Sequence, residues 1–303
     1  MSTSASQLIL LGPARSGTSL LYRTLSLHPQ AAYISNYVRR VPRVPELAVL
    51  DRFARKRPEL QREIWFGGGS NAYVYGSRRS LSSRIFPSPV EGEPLYRACG
   101  VQPVDTGPPD GDQARRLRRS LERVRRADGG QVLVIKRIAN NRRVPLLHLA
   151  FPEARFVRLV RDGRAVALSL SKVDWWLDDE VWWYGGTPRR WQAEGGDPWE
   201  ICARNWVEEL DALDRGLAAI PSSQIMDLRY EDFVAAADET LQAVAAFGGL
   251  PASTAWDEGR AHLAFPNRNE HWRRDLPPDA FETIMRIQGP RLESLGYVAS
   301  DRR

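Results

Sequence analysis

A loop near the N-terminus combines the residue types that bind phosphate. The sequence GPARSGTS at residues 12–19 follows an apolar run and precedes a helical pattern. Glycines let backbone N–H groups approach an anion closely, and the N-terminus of the following helix adds its positive end. The spacing of Gly12 and Gly17 matches the phosphate loop of nucleotide triphosphatases, but Thr18 stands in place of their lysine and Arg15 supplies the cation. The loop therefore predicts a site for a phosphate-like group other than ATP.

Three other apolar runs end on polar side chains in the same way. The runs and the residues that follow them are 132–135 with Lys136, 156–160 with Arg161, and 225–228 with Arg229 and Tyr230. A helical pattern comes after each run, and strands that alternate with helices form mostly parallel sheets. Ligands lie at the carboxyl ends of such strands, so these side chains are expected to converge on the loop. We predict an α/β fold of the phosphate-loop type, with three layers: a central, mostly parallel sheet flanked by helices.

The segment RDGRAVALS at residues 161–169 is a second signal for phosphate. Arg161 falls in the turn after its strand, and Ser169 falls about two turns into the next helix. This geometry can place a guanidinium and a hydroxyl on one phosphate, so the ligand is predicted to carry two separate phosphate groups. Asp162 and Arg164 are predicted to form a local helix cap and an ion pair.

Further motifs follow in order along the chain. They are LRYEDF at 228–233, AFGGLP at 246–251 and HWRRDL at 271–276. Together with the loop and the segment 161–169, they resemble the PAPS-dependent sulfotransferase family, of the bacterial small-molecule type, over residues 7–35 and 131–297. The resemblance implies PAPS as the cosubstrate and adenosine 3′,5′-bisphosphate (PAP) as the product. The residues that it assigns to the donor are Arg15, Ser16, Gly17, Thr18 and Ser19 for the 5′-phosphosulfate, Arg161 and Ser169 for the 3′-phosphate, Tyr230 for the adenine, and Arg268, Trp272 and Arg273 in the segment 267–274 that closes over the nucleotide.

Sulfuryl transfer resembles phosphoryl transfer in outline. An acceptor attacks in line, and the protein mainly positions groups and stabilises spreading charge. Lys136 matches the family's lysine after the central strand, and an ammonium there neutralises the bridging oxygen as its bond to sulfur breaks. Lys136 is also one of only three lysines in an arginine-dominated chain. We predict that Lys136 and Arg15 are catalytic.

The general base departs from the family's patterns. Ile138 stands where cytosolic members carry histidine, and the run 33–36 lacks the glutamate of tyrosylprotein members. Glu91 is our candidate because a carboxylate in a proline-stiffened loop can be tuned by burial. Glu93 and Asp174 are the second and third candidates.

Tryptophans are concentrated on what we expect to be the acceptor side. Seven of the ten lie between Trp175 and Trp206. Adjacent residues of a regular element cannot point the same way, so the pairs at 175–176 and 182–183 predict that part of the cluster is exposed or lines a pocket. Such a surface suits a sugar, a lipid head, a phenol or an amine, and the acceptor is left open. We predict one domain over residues 1–303, with an acceptor-side insertion at about 36–130 and a Trp-rich insertion at about 174–206.

The composition argues against several other classes of protein. Two distant cysteines and four scattered histidines predict neither a disulfide framework nor a metal site. No export signal or membrane span is visible, and a cytoplasmic location is predicted. The net charge of +6 rests almost wholly on arginine, and the arginine-rich segment 115–126 predicts an amphipathic helix with a basic outer face. That stripe has no interleaved aromatic platform, so no nucleic-acid partner is predicted.

The sequence thus predicts an enzyme that moves a sulfuryl group from PAPS to a hydroxyl or amine of a small-molecule, glycan or lipid acceptor. A PAPS- or phosphate-binding protein without turnover is the first alternative, because the usual base is absent. A kinase-like phosphotransferase is the second, and the missing phosphate-loop lysine counts against it.

Overall fold

Five parallel strands form one sheet in the computed structural model, which describes residues 7–66, 85–103 and 107–297. In chain order they are β1 Gln7–Leu11, β2 Ala31–Ala32, β3 Val132–Lys136, β4 Arg155–Val160 and β5 Ile225–Arg229. Their order across the sheet is β2-β3-β1-β4-β5, and every neighbouring pair is parallel. The predicted α/β fold is confirmed.

Helices connect the strands and cover both faces of the sheet. The α-helices are α1 Thr18–Ser26, α2 Asn36–Arg40, α3 Asp51–Arg55, α4 Pro58–Phe66, α5 Glu93–Ala98, α6 Gly111–Asp128, α7 Val144–Ala150, α8 Gly163–Ser171, α9 Pro188–Ala193, α10 Pro198–Leu217, α11 Tyr230–Ala235, α12 Ala237–Phe247, α13 Thr254–Ala261, α14 His271–Asp275 and α15 Pro278–Ser294. Short 3-10 helices lie at Pro45–Leu50, Ile138–Arg142, Asp174–Asp178 and Ser222–Gln224.

The central strand β1 divides the interior into two hydrophobic cores. Successive side chains of a strand point to opposite faces, and Leu8 and Leu10 lie in one core while Ile9 and Leu11 lie in the other. All five residues of β1 are buried, as expected for a parallel strand covered on both faces. This burial explains why the strand reads as a continuous apolar run in the sequence.

The strand register brings the predicted site residues to one edge of the sheet. Leu10 of β1 pairs with Lys136 at the end of β3, and Leu11 pairs with Arg158 of β4. The phosphate loop begins directly after β1, and Arg161 directly follows β4. The carboxyl ends of the three central strands therefore surround the loop.

The arginine-rich segment forms helix α6, as predicted. Asp110 caps its N-terminus by accepting a hydrogen bond from the backbone N–H of Asp112 (2.8 Å), and Gly129 ends it with a φ of 91°. The apolar stripe of Leu117, Leu121 and other residues is buried. The arginines lie outside that stripe, most of them exposed.

The sequence missed strand β2, whose two residues pair with Val132 and Leu133. Two alanines are too short a run to stand out from a loop. Parts of the predicted insertion at 36–130, including an expected glycine turn at 67–69, lie outside the described residues. The division of the chain into a core with two insertions stays a prediction.

Candidate donor site at the ends of the central strands

The phosphate loop is held in a conformation that its glycines and Arg15 make possible. Gly17 has a φ of 92°, and a Cβ atom there would lie 2.6 Å from Cδ2 of Tyr230. Arg15 has a φ of 67° and is the one non-glycine residue with positive φ among those described. Non-glycine residues in this region are uncommon and cluster at functional sites. The loop therefore wraps closely around Tyr230 and presents Arg15 at its tip.

A cavity of about 130 Å³ opens beside the loop. The predicted residues that line it are Arg15, Gly17, Thr18, Ser19, Lys136, Arg161, Tyr230 and Arg268, and its other lining residues are Ala14, Leu20, Ile138, Trp175 and Pro266. Four of these side chains are cationic and none is acidic, so the cavity suits a polyanion. Ser16 does not line it: its hydroxyl is buried and has no hydrogen-bond partner in the described part of the chain.

Arg161 joins the loop to the segment near residue 268. Its Nη1 donates to the carbonyl of Arg15 (3.0 Å), its Nη2 to the carbonyl of Arg268 (2.9 Å), and its Nε to Oδ1 of Asn269 (3.2 Å). The guanidinium lies over the ring of Tyr230, 4.3 Å from its centroid. Burial lowers the pKa of Arg161, although arginine stays charged at physiological pH. Arg161 is thus a buried cation that is held by backbone carbonyl groups and lines the cavity.

Ser169 contacts Arg15 rather than Arg161. The Nε of Arg15 donates to Oγ of Ser169 at 3.0 Å. Helix α8, which carries Ser169, begins at the cap that the sequence predicted: Oδ1 of Asp162 accepts from the backbone N–H of Arg164 (2.9 Å), and the two side chains form an ion pair. Arg161 and Ser169 thus both contact Arg15, Arg161 at its carbonyl and Ser169 at its guanidinium.

Trp272 and Arg273 do not line the cavity. Trp272 is 3% exposed and stacks on Phe281 with ring centroids 5.9 Å apart. Arg164 lies over the same indole at 4.0 Å, and Arg273 lies at 4.8 Å. The tryptophan packs helix α14 against α8 and α15, and Arg273 pairs with Glu270 at the surface.

Lys136 and the predicted base Glu91 form an ion pair. Lys136 is 4% exposed, and its ammonium donates to Oε1 of Glu91. Arg137 donates to the other carboxylate oxygen and, through Nε, to Glu93 at 2.9 Å. Burial by itself would raise the pKa of Glu91, but the charges of Lys136 and Arg137 outweigh it and lower that pKa to about 2. Glu91 is therefore ionised and well neutralised.

A buried network that the sequence reading missed holds the first glycine of the loop. The side chain of Asn141 accepts from the N–H of Gly12 and donates to its carbonyl, each at 3.0 Å. Asn141 also donates to Glu209 (2.6 Å), whose other oxygen accepts from Arg142 (2.7 Å) and from the indole N–H of Trp182 (2.9 Å). The one sign of this network in the sequence is Glu209, a glutamate on the apolar face of helix α10.

The family model of the sulfotransferases matches residues 7–254. The chain belongs to the sulfotransferase family. Among solved structures, it resembles sulfotransferase STF9 from Mycobacterium avium, with a TM-score of 0.61 and 16% identity over 99% of this chain and 79% of that chain. Sulfotransferase STF1 from Mycobacterium tuberculosis H37Rv has a TM-score of 0.54 and 16% identity over 93% of this chain and 77% of that chain. The sulfotransferase domain from the curacin biosynthetic pathway has a TM-score of 0.52 and 15% identity over 98% and 99%.

No curated protein matches the sequence of this sulfotransferase. The resemblance inferred from its motifs is nevertheless confirmed by the family match, and PAPS is the sulfuryl donor that membership implies. The solved neighbours share its fold at low sequence identity.

The Trp-rich segment of the sulfotransferase adjoins the cavity beside the phosphate loop. Trp175 lines the cavity, whereas its neighbour Trp176 is 5% exposed in a third hydrophobic core. The two tryptophans of the next pair also have different partners: Trp182 donates to Glu209, and Trp183 donates to Asn205 at 3.3 Å. Adjacent tryptophans thus take different environments, as the sequence predicted.

Neither a metal centre nor a membrane span is found in the part of the sulfotransferase that the structure describes. No group of three histidine, cysteine, aspartate or glutamate side chains there is placed to hold a metal ion. None of the described helices combines the length and the apolar character that crossing a bilayer needs.

Proposed function

We propose that this protein transfers the sulfuryl group of PAPS to a hydroxyl or amine of a small-molecule, glycan or lipid acceptor. The observation that carries the proposal is the cationic cavity in which the phosphate loop, Lys136, Arg161 and Tyr230 meet. A nucleotide with one phosphosulfate and one separate phosphate fits a site whose cations approach from different strands. The fit is one of charge and position: four described lining residues are cationic, and none of the described lining residues is acidic.

The donor is assigned to the two groups of residues that the sequence predicted. The loop from Arg15 to Ser19 would hold the 5′-phosphosulfate with backbone N–H groups, hydroxyls and the Arg15 guanidinium. Arg161 and Ser169 would hold the 3′-phosphate, with Arg161 exchanging a carbonyl acceptor for a phosphate oxygen. Arg268 would add a further cation on the side of the cavity next to Arg161. Trp272 would support this arrangement by packing in the hydrophobic core, without contacting the nucleotide.

The transfer step needs charge stabilisation at one oxygen and removal of one proton. The acceptor oxygen or nitrogen forms a bond to sulfur while the bond from sulfur to the bridging oxygen breaks, and PAP leaves with the electron pair. Lys136 would neutralise the charge that develops on that bridging oxygen. The acceptor proton passes to a general base, for which we propose Glu91.

Donor binding would activate Glu91 by removing its nearest counter-charge. A carboxylate with a pKa of about 2 accepts protons poorly while Lys136 and Arg137 both bind it. When the Lys136 ammonium turns to the bridging oxygen of PAPS, the Glu91 carboxylate loses one of two cations and its pKa rises. The base is thereby stronger only when the donor is in place.

Replacing Glu91 with glutamine is expected to lower kcat by about 10²- to 10⁴-fold and to leave PAP affinity within a few-fold, because a general base is lost while the donor contacts remain. The variant should also be less stable than the wild type at neutral pH. Because the pKa of Glu91 lies below its ordinary value, the stability from its ion pairs is present above about pH 4.5 and is lost as pH falls toward 2.

Steady-state kinetics and melting curves between pH 2 and 7 test both parts. The difference in Tm between wild type and Glu91→Gln should shrink as the pH falls. The matched variant Glu93→Gln, at the neighbouring carboxylate, should keep most of the turnover. Near-normal turnover of Glu91→Gln with intact PAP affinity would remove Glu91 as the base.

The network under the phosphate loop yields a second prediction. Replacing Trp182 with phenylalanine removes the indole N–H that donates a hydrogen bond to Glu209. Hydrogen bonds to charged groups contribute about 1.5–3 kcal/mol, but this one reaches the loop only through Asn141. We therefore expect the Kd for PAP to rise only about threefold to tenfold. Isothermal calorimetry measures it. The control is Trp183→Phe, which loses an indole N–H bond to Asn205 instead. Equal PAP affinity of the two variants would show that the network does not position the loop.

The proposed function is tested by calorimetric titration with PAP and, in parallel, with ATP and magnesium. Tight binding of PAP that ATP does not reproduce supports the assignment and precedes screening of acceptors with PAPS. A preference for ATP would favour a phosphotransferase. Binding of PAP with no transfer to any acceptor class would favour a nucleotide-binding protein without turnover.

A further inference from the structure

The excess positive charge of the chain is concentrated in two segments. Residues 36–66 and 111–128 together hold fifteen lysines and arginines against seven acidic residues. The whole chain holds 43 against 37, so the remainder has 28 basic and 30 acidic residues. In the rest of the protein the basic residues are thus balanced by acidic ones, and the excess of positive charge comes from these two segments.

The two segments pack against each other and form one surface. Helix α6 lies against the 3-10 helix Pro45–Leu50, and Arg123 pairs with Glu46 across the contact. Arg52 of α3 donates to the carbonyl of Asp128 at the end of α6 (3.1 Å). The charges of both segments therefore act on the same side of the molecule.

Exposed hydrophobic side chains are concentrated on this side as well. The structure describes eight large hydrophobic side chains that are exposed, and seven of them are Val41, Val44, Val49, Leu50, Phe53, Leu60 and Ile85. Phe53 is 53% exposed, its ring lies 6.3 Å from that of Phe86, and the guanidinium of Arg57 lies over it at 5.8 Å. We call residues 36–66 and 85–86, with the exposed arginines of α6, the basic-apolar face.

We propose that the basic-apolar face docks on an anionic lipid surface. Nucleic acid would satisfy the arginines but offers no apolar partner for exposed valine, leucine and phenylalanine side chains. A bilayer with anionic headgroups offers both, since basic residues are attracted to its surface and apolar side chains enter the boundary of headgroups and acyl chains. Arg40 lies over the ring of Tyr37, and Arg57 lies over the ring of Phe53. Aromatic rings and long cationic side chains with apolar stems are typical of the boundary between a membrane and water.

The face is connected to the proposed base by a short, well-held segment. Asn36 donates to the carbonyl of Phe86 (3.1 Å) and accepts from the N–H of Ser88 (3.2 Å), and the N–H of Val90 donates to the carbonyl of Ile34 (2.8 Å). Glu91 follows directly. Glu91 lies six positions after Ile85, a span of at most about 22 Å.

This proximity suggests a substrate class, a step that rests on the proposed function. An acceptor that resides in a membrane, with a hydroxyl or amine in its headgroup, could reach Glu91 and Lys136 while the face holds the protein at the surface. Docking itself does not require the enzyme to be active. The two claims can therefore fail separately.

Vesicle sedimentation tests the docking in the absence of nucleotide. The full-length protein is mixed with vesicles of phosphatidylcholine alone or with 30% phosphatidylserine, and we expect at least tenfold more binding to the anionic vesicles, weakening as salt rises. Phe53→Asp should lower that binding at least fivefold. Leu149→Asp, the same kind of change at an exposed leucine of α7 outside the face, should not alter it.

A second variant guards against a folding defect at Phe53, which contacts Phe86. Val49→Asp, at a side chain that is 48% exposed, should weaken vesicle binding in the same direction. Equal binding to neutral and anionic vesicles, no effect of either face variant, or binding to duplex DNA but not to vesicles would overturn the docking proposal. PAP titration of the same samples reports on the donor site independently.

Discussion

Replacing Lys136 with methionine is expected to lower kcat by about 10²- to 10³-fold and to leave the affinity for PAP within a few-fold. Lys136 is the cation at the end of β3, buried in the cavity wall, and we assign its charge to the oxygen that leaves with PAP. A group aimed at charge that develops in the transition state contributes to turnover more than to ground-state binding. Methionine keeps the length and apolar character of the side chain, so packing is largely preserved.

The chain contains a matched control for this experiment. Lys172 lies just beyond the end of helix α8, more than half exposed, and pairs with Asp275 at the surface. Lys172→Met removes the same charge without touching the cavity and should leave kcat unchanged. If kcat of Lys136→Met stayed within tenfold of the wild type, the lysine would not be the stabilising cation. A large rise in the Kd for PAP with unchanged kcat would assign it to donor binding instead.

Replacing Arg161 with alanine is expected to raise the Kd for PAP at least 100-fold. The substitution removes the predicted bonds to the 3′-phosphate, and hydrogen bonds to charged groups contribute about 1.5–3 kcal/mol each. It also removes the bonds that join the carbonyls of Arg15 and Arg268, so the empty loop loses support as well. Calorimetry measures the affinity, and melting curves with and without PAP measure the ligand-dependent gain in Tm.

Two further variants distinguish the lost phosphate contact from general damage. Arg158→Ala removes a guanidinium of β4, the strand that precedes Arg161. Arg158 pairs with Asp214 and Asp227 and does not line the cavity, so the change should leave PAP affinity intact. Arg161→Lys keeps the charge but not the planar fork, and its affinity should fall between those of the wild type and Arg161→Ala. PAP affinity of Arg161→Ala within threefold of the wild type would contradict the assignment.

The pairing of Glu91 with Lys136 shows how a correct choice of residues can have an unexpected electrostatic outcome. The sequence singled out both side chains, which stand 45 positions apart, and suggested that burial would tune the carboxyl group. In the folded chain the segment at 85–91 is hydrogen-bonded to residues 34–36, which brings Glu91 to the end of β3. There the Lys136 ammonium reaches one carboxylate oxygen, and Arg137 reaches the other. Burial is present, but two cations outweigh it and the pKa falls. The direction of this pKa shift depends on charged groups from distant parts of the chain. It therefore cannot be predicted from the residues next to Glu91 in the sequence.

Trp272 illustrates the same limit for an aromatic side chain. An indole between a histidine and two arginines looks like a nucleotide contact, and the sequence cannot tell a ring that stacks on a base from one that stacks on Phe281. The structure places Trp272 in a core beneath helix α8, with Arg164 against its face. What the ring contacts is decided by residues that come from separate helices.

The sequence by itself determined the parts of this protein whose geometry is local. The phosphate loop, the cap at Asp162 and the strands β1, β3, β4 and β5 follow from short-range rules: glycine conformations, side-chain caps, and short apolar runs, which are buried throughout in β1 and β3. Only the tertiary structure decided which distant groups meet, as with Asn141 under Gly12 and Asn269 against Arg161. Such contacts cost chain entropy to form and are selected by the packing of the whole domain, so no local pattern specifies them.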